Sequence, residues 1–244
     1  MSKYSNLNTR ICLDQYDISG FLNASDLDIK QEVPEVTCFS DAGPRRAVGN
    51  YDHSSKHGGF IDTADNSFDE NMFAHLGSAA DHYLLQLFGA NAEASIAYES
   101  IVRLDGQPRK TAIGQGILLD NSFAGSQSVS RGAVLRSATV SGNGNGTGQN
   151  LGATTATQTV QVVYRVISGT FTSFTLDIQE SQNDGGADPY ASLGVGTPLS
   201  QAVPAAGVWR LTYTGATEAW KRVTVSAWNG TSALIIVTFG VVQP

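Results

Sequence analysis

Residues 11–39 read ICLDQYDISGFLNASDLDIKQEVPEVTCF, and the fold class turns on them. Two stretches with strand-like alternation are separated by Ser19 and Gly20, a pair that punctuates regular structure rather than extending it. In the second stretch Leu27, Ile29 and Val33 fall on one face of an extended chain. Asp26, Asp28, Lys30 and Glu32 fall on the other. A strand pointing a mostly acidic face away from the core needs a wet surface to present it to.

The rest of the chain fits a mainly β protein. Its 244 residues are 41% hydrophobic and only 15% charged, and the 26 glycines suit frequent turns. The net charge of −7 is uneven. Residues 1–148 carry 17 acids and 11 bases, a balance of −6, and the remainder carries 5 acids and 4 bases, a balance of −1. An acidic first half excludes a protein that grips nucleic acid, which requires dense Lys and Arg. It suits a surface that DNA slides past without sticking. Cys12 and Cys38 are too few for a disulfide scaffold and read as two buried free thiols, although a cross-strand pair is geometrically open. No apolar run suggests a signal peptide or a membrane span.

Along the chain, residues 40–66 are polar and aperiodic and are expected to form a long loop ordered by a partner. Ser67 and Glu70 have the spacing of a capping box ahead of Phe68, Met72 and Leu76 at helical spacing. A second helical stretch is expected from Ser78 through Leu84, Leu85 and Phe88 to Gly89. Strands are expected over 96–104, 111–119 and 129–140, with turns at 105–106 and 121–126. Residues 146–157 are Gly- and Thr-rich and read as a linker between a domain over 1–145 and a second over 158–244. In that second part Val160, Val162, Tyr164 and Val166 share a face. Phe174, Leu176 and Ile178 alternate with polar residues, as do Trp209, Leu211 and Tyr213, and the chain closes on 233–242. Such regular short strands read as an immunoglobulin-like or jelly-roll β-sandwich.

No catalytic constellation emerges. His53 and His57 are four apart, but their surroundings are not helical and no third ligand has zinc spacing. Asp26 and Asp28 share a face without the facing arrangement of a glycosidase pair. There is no nucleophile elbow, and GNGNGTG at 142–148 lacks the Lys-Ser/Thr of a phosphate loop. Asp184 and Asp188 lack calcium-loop spacing. The reading is a non-enzyme with no cofactor and no metal. Trp220 and Trp228 are the tryptophans expected at the surface, where a sugar could stack, whereas Trp209 is expected in the core.

The YDISGFLN punctuation, the returning amphipathic strand and the EVTCFSD continuation resemble the N-terminal part of major tail tube proteins of long, non-contractile-tailed bacteriophages. The stretches GTFTSFTLDIQES and EAWKRVTVSAWNGTSALIIVTFG resemble β-sandwich modules appended to such proteins. The resemblance implies a barrel-forming tail-tube domain with one helical segment, followed by a decorating sandwich. It implies self-assembly into stacked, commonly hexameric rings in a virion tail, built in the host cytoplasm alongside tape measure, terminator and distal tail proteins. DNA would pass through the bore, and the chain would not insert into a membrane. Asp26, Asp28, Lys30 and Glu32 would face the lumen. A loop bearing Asp41, Arg45, Arg46, His53 and His57 would reach a neighbouring subunit or ring. The alternative is another virion component: a tail terminator, a capsid decoration or a glycan-binding tail protein.

Overall fold

The computed structural model describes residues 9–39, 42–47, 51–61, 68–89, 92–110, 117–193 and 200–242. Strands β1 (Arg10–Leu13), β2 (Tyr16–Asp17), β3 (Leu22–Gln31) and β4 (Tyr51–Phe60) precede the helix α1 (Phe68–His75). Strands β5 (His82–Phe88), β6 (Ile96–Gly106), β7 (Arg109–Lys110), β8 (Leu118–Gly125) and β9 (Ser130–Val140) follow. Then come β10 (Gly144–Asn145), β11 (Gln149–Asn150), β12 (Thr159–Ser181), β13 (Ala191–Ser192), β14 (Ser200–Val203), β15 (Gly207–Thr214) and β16 (Trp220–Val242). The protein is mainly β, as the sequence indicates, and every strand pairing is antiparallel.

The described residues form two compact units. One holds the chain up to Ser19 together with Tyr83–Ser100 and Ser130–Val242; the other holds Gly20–His82 and Ile101–Val129.

In the first unit the strands run β13-β12-β16-β9-β6-β5-β1-β2, with β14 and β15 also pairing β12 and with β10 and β11 also pairing β16. The 23-residue strands β12 and β16 pair along most of their length, with register shifts between Val166 and Thr175. There the chain bends. A side chain at Gly230 would lie 2.5 Å from the Phe171 Cα, so that close approach requires glycine. The bend lets Val162, Tyr164 and Val166 share one buried cluster with Phe174, Leu176, Ile178, Val223, Val225, Ile235 and Phe239. Each such side chain contributes about 1.5–3 kcal/mol by leaving water.

The division does not fall at 146–157. Gln149 and Asn150 pair with Lys221 and Trp220, and Gly144 and Asn145 pair with Val225 and Thr224. Strand β9, assigned to the first domain by the sequence, is hydrogen-bonded to β16 over its whole length. Pairing between strands distant in sequence leaves no mark on local composition, so a Gly- and Thr-rich stretch reads as a linker even where it joins a sheet.

The second unit is a four-stranded sheet in the order β3-β4-β8-β6, using residues 101–106 of β6, with β7 beside β8 and with α1. Several expectations are corrected here and in the neighbouring strands. The two stretches of the opening segment do not pair with each other: β1 pairs β2 and β5, and β3 pairs β4. The helix ends at His75, and residues 82–88 are a strand instead of a second helical stretch. HYLLQLF is an apolar run too short for periodicity to separate strand from helix. The expected turn at 121–126 lies largely within β8. Ser67 and residues 111–116 lie outside the described residues.

Candidate functional site

The candidate site is the sheet of the second unit, whose two faces differ sharply. Register places Asp26, Lys56 and Ser122 in one row, Ala24, Gly58 and Asp120 in the next, and Asp28 with Ser54, then Lys30 with Asp52, beyond. Asp26, Asp28 and Lys30 are exposed, as is Glu32 just past the strand. This outer face therefore carries four carboxylates against two ammonium groups. Lys30 is ion-paired with Asp28, whose hydrogen bond and charge hold the ammonium above its ordinary value. A cleft of about 440 Å³ opens on this face, with Asp26, Lys56, Gly58, Asp120 and Ser122 in its lining. Beside the sheet, Arg103 bonds Asp81 at 2.9 Å, and Arg109 bonds Asp69 at 2.9 Å while sitting over the Phe73 ring.

Strand β3 is an edge. Among the described residues this ten-residue strand pairs with β4 alone, on one of its two sides. Ile29 and Val33, expected to face a core, are exposed, while Leu27 is half-buried. The hairpin continues past β3 as an arm. The Val36 N–H donates to the Arg45 carbonyl at 2.9 Å, the Ala47 N–H donates to Pro34 at 3.0 Å, and Glu35 bridges Arg46. Val33, Val36 and Phe39 stand exposed along it, as do Arg45 and Arg46. Cys38 is exposed here, and Cys12 is buried with its thiol pushed up to about 12 by desolvation; neither forms a disulfide, and only one of the two thiols is buried.

Within the expected loop over 40–66, Tyr51–Phe60 form a strand, and residues 40–41, 48–50 and 62–66 lie outside the described residues. Asp41 lies outside the described residues, and His53 and His57 are not loop residues. They sit on β4 and point into the protein with Ser55, at 5% and 1% exposure. The alternation is present in YDHSSKHGGF, but its inward positions are His, Ser, His and Gly, which carry no hydrophobic signal.

The inner face is polar at its centre. Ser25, His57 and Asn121 form one row, and Leu27, Ser55, Phe123 and Leu104 the next. The Ser55 hydroxyl and His57 Nε2 are 3.0 Å apart, and the His57 ring meets Phe123 edge-on at 5.6 Å. His53 occupies space left by Gly125, where a side chain would lie 2.4 Å from the imidazole. Among the described residues His53 Nε2, His57 Nδ1 and both side-chain polar atoms of Asn121 have no hydrogen-bond partner. Desolvation pushes the His57 imidazole down to about 4, and lowers His53 against the opposing pull of Asp52. The Ser55 and His57 side chains are buried, and His57 and Asn121 also belong to the lining of the cleft. Also in this unit, the His75 and His82 rings lie 4.1 Å apart.

In the first unit, Trp220 and Trp228 are half-buried rather than exposed. Trp228 packs on Phe174 with ring centres 4.9 Å apart, and its indole N–H donates to the Gly230 carbonyl. Asn121, the cross-strand neighbour of His57, carries no sequence signal, because the register joins residues far apart in the chain.

The fold therefore defines a mainly β protein with one described helix and a polarised, edge-exposed sheet. No family model matches the chain, and no curated protein matches it. Among solved structures, the chain is similar to one from the virion of a native gene transfer agent particle, at 15% identity and TM-score 0.43, covering 53% of this chain and 98% of that one. A structure from the tail of an empty gene transfer agent particle, refined with C6 symmetry, aligns at 12% identity and TM-score 0.40 over 52% of this chain and 97% of that one. The SPP1 Dit protein, described as a paradigm of hub adsorption apparatus in phages infecting Gram-positive hosts, aligns at 10% identity and TM-score 0.37 over 95% of this chain and 98% of that one.

Proposed function

We propose that this chain is a structural subunit of a phage-type tail tube, with copies joining through the second unit into rings that stack around a DNA-conducting bore. The observation that carries the reading is the outer face of β3, a ten-residue strand that pairs with β4 alone among the described residues and presents Asp26, Asp28 and Lys30 to water, with Glu32 just beyond. An edge of that length is a template for pairing with another chain, and ring closure removes it. Asp26, Asp28 and Glu32 would then line the bore, where like charge keeps DNA phosphates moving. The exposed Val33, Val36 and Phe39 on the arm, with Arg45 and Arg46, would be covered by a neighbouring copy. Sixfold rings, and contacts with tape measure, terminator and distal tail proteins, belong to the same reading through the sequence resemblance.

Negative-stain imaging of the purified full chain across a concentration series tests this. Rings or tubes are expected, and Ile29→Lys, at an exposed position on the edge strand, abolishes them while leaving the monomer folded. Monomers at every concentration overturn the proposal.

A further inference from the structure

The inner face of the β3-β4-β8 sheet holds a second device, independent of whether the chain forms a tube. Two imidazoles are buried on one strand, at positions 53 and 57, on either side of Ser55. The groups that meet them are apolar or neutral. From β3 these are Ser25, Leu27 and Ile29; from β8, Asn121, Phe123 and Gly125; from β6, Val102 and Leu104, with Ile101 offering a backbone hydrogen bond to His53. The charged groups nearby are Asp52, next to His53 on its own strand, and Asp26, Lys56 and Asp120 on the opposite face. Among the described residues of β3, β4, β6 and β8, no carboxylate on this inner face is placed to receive a proton-bearing imidazole.

We propose that this face is an acid-operated latch: protonating His53 and His57 releases the β3–β4 hairpin from β8 while the first unit stays folded. In neutral His57 the Nε2 atom meets the Ser55 hydroxyl, and Nδ1 has no partner among the described residues. The imidazolium donates from both nitrogens, and a charge held in this buried row, with no carboxylate beside it, costs far more than in water. Opening the hairpin hydrates it. The direction follows from linkage: a folded-state imidazole lowered from 6.5 to about 4 is neutral when closed and protonated when open between those values. Stability is therefore full above pH 6.5 and is lost as pH falls through the window toward 4. Asp52 opposes the effect at His53, so His57 is the stronger element.

The test uses the full chain. Imidazole carbon–proton shifts of the four histidines are followed from pH 8 to 4, with His53→Gln and His57→Gln giving the assignments. In parallel, amide exchange, corrected for its intrinsic pH dependence, is compared at pH 7.5 and 4. The expected result is that His57 titrates at least one unit below 6.5, and that opening of β4 and β8 increases on the order of 100-fold at pH 4. Protection in β12 and β16 should be unchanged, and the acid-induced opening should shrink at least tenfold in His57→Gln. If a variant does not fold, the wild-type titration and exchange decide alone. Titration of His57 at 6.5 or above, or equal protection of β4 and β8 at both pH values, overturns the latch.

Discussion

Arg165 and Glu99 form a buried bidentate pair, with guanidinium nitrogens 2.5 and 2.9 Å from the two carboxylate oxygens. Both side chains are removed from solvent, at 0% and 4% exposure. The remaining capacity is used: Arg165 also donates to the Asp14 and Tyr83 carbonyls, and the Thr238 hydroxyl donates to Glu99. Burial disfavours the Arg165 cation, and the facing carboxylate more than offsets it. Five segments of the first unit, from residue 14 to residue 238, meet at this one point.

Arg165→Ala should leave Glu99 buried and unpaired. The expected loss is about 3–5 kcal/mol of unfolding free energy, measured by denaturant titration. Replacing both partners together, as Arg165→Met with Glu99→Gln, should recover part of that loss, because no isolated charge remains.

A fragment spanning 158–244 should not fold cooperatively. Its Arg165 would lack Glu99 and the two carbonyls, and the β16 edge that meets β9 would be bare. Poorly dispersed amide resonances and a non-cooperative melt are the expected outcome.

Changing Asp26, Asp28 and Glu32 together to Lys should leave the monomer's melting temperature within a few degrees, since all three face water. In assembled particles the same change should slow DNA release, with a delay that shrinks as salt rises, because added cations bind phosphate through counterion release. Release kinetics indistinguishable from wild type would remove these residues from the bore.

Lys221 gives a second pH signature. It is buried, donating to the Gly152 and Glu218 carbonyls with its ammonium 5.3 Å from the Phe239 ring centre. Desolvation brings it down to about 8. The folded chain therefore sheds this proton before the unfolded chain does, and stability should rise by roughly 2 kcal/mol between pH 8 and 10. In Lys221→Met that rise should be absent in denaturant titrations across the range.

How far these features can be read from the chain depends on what marks each strand. The alternation at Val160–Val166 and at Phe174–Ile178 is written in apolar side chains, and those residues are buried where expected. The wet row of β3 was equally plain, because charges at alternate positions show which face meets water. Strand β4 was invisible, since its inward residues are polar and are held by neighbours on β3 and β8 that local periodicity does not contain. His57 is set opposite Asn121 by strand register, 64 residues away, and Arg165 meets Glu99, 66 residues away, through side chains of strands that do not pair with each other.

Strand β16 lies between β9 and β12 and also receives β10 and β11. The last stretch of described chain is therefore the keystone of the first unit, so synthesis must deliver it before that sheet can close. Until then β9 and β12 offer two bare edges on a nascent polypeptide, and contacts of such wide sequence separation form slowly. A stalled or prematurely terminated translation product should be a sticky, chaperone-dependent species instead of a smaller working subunit.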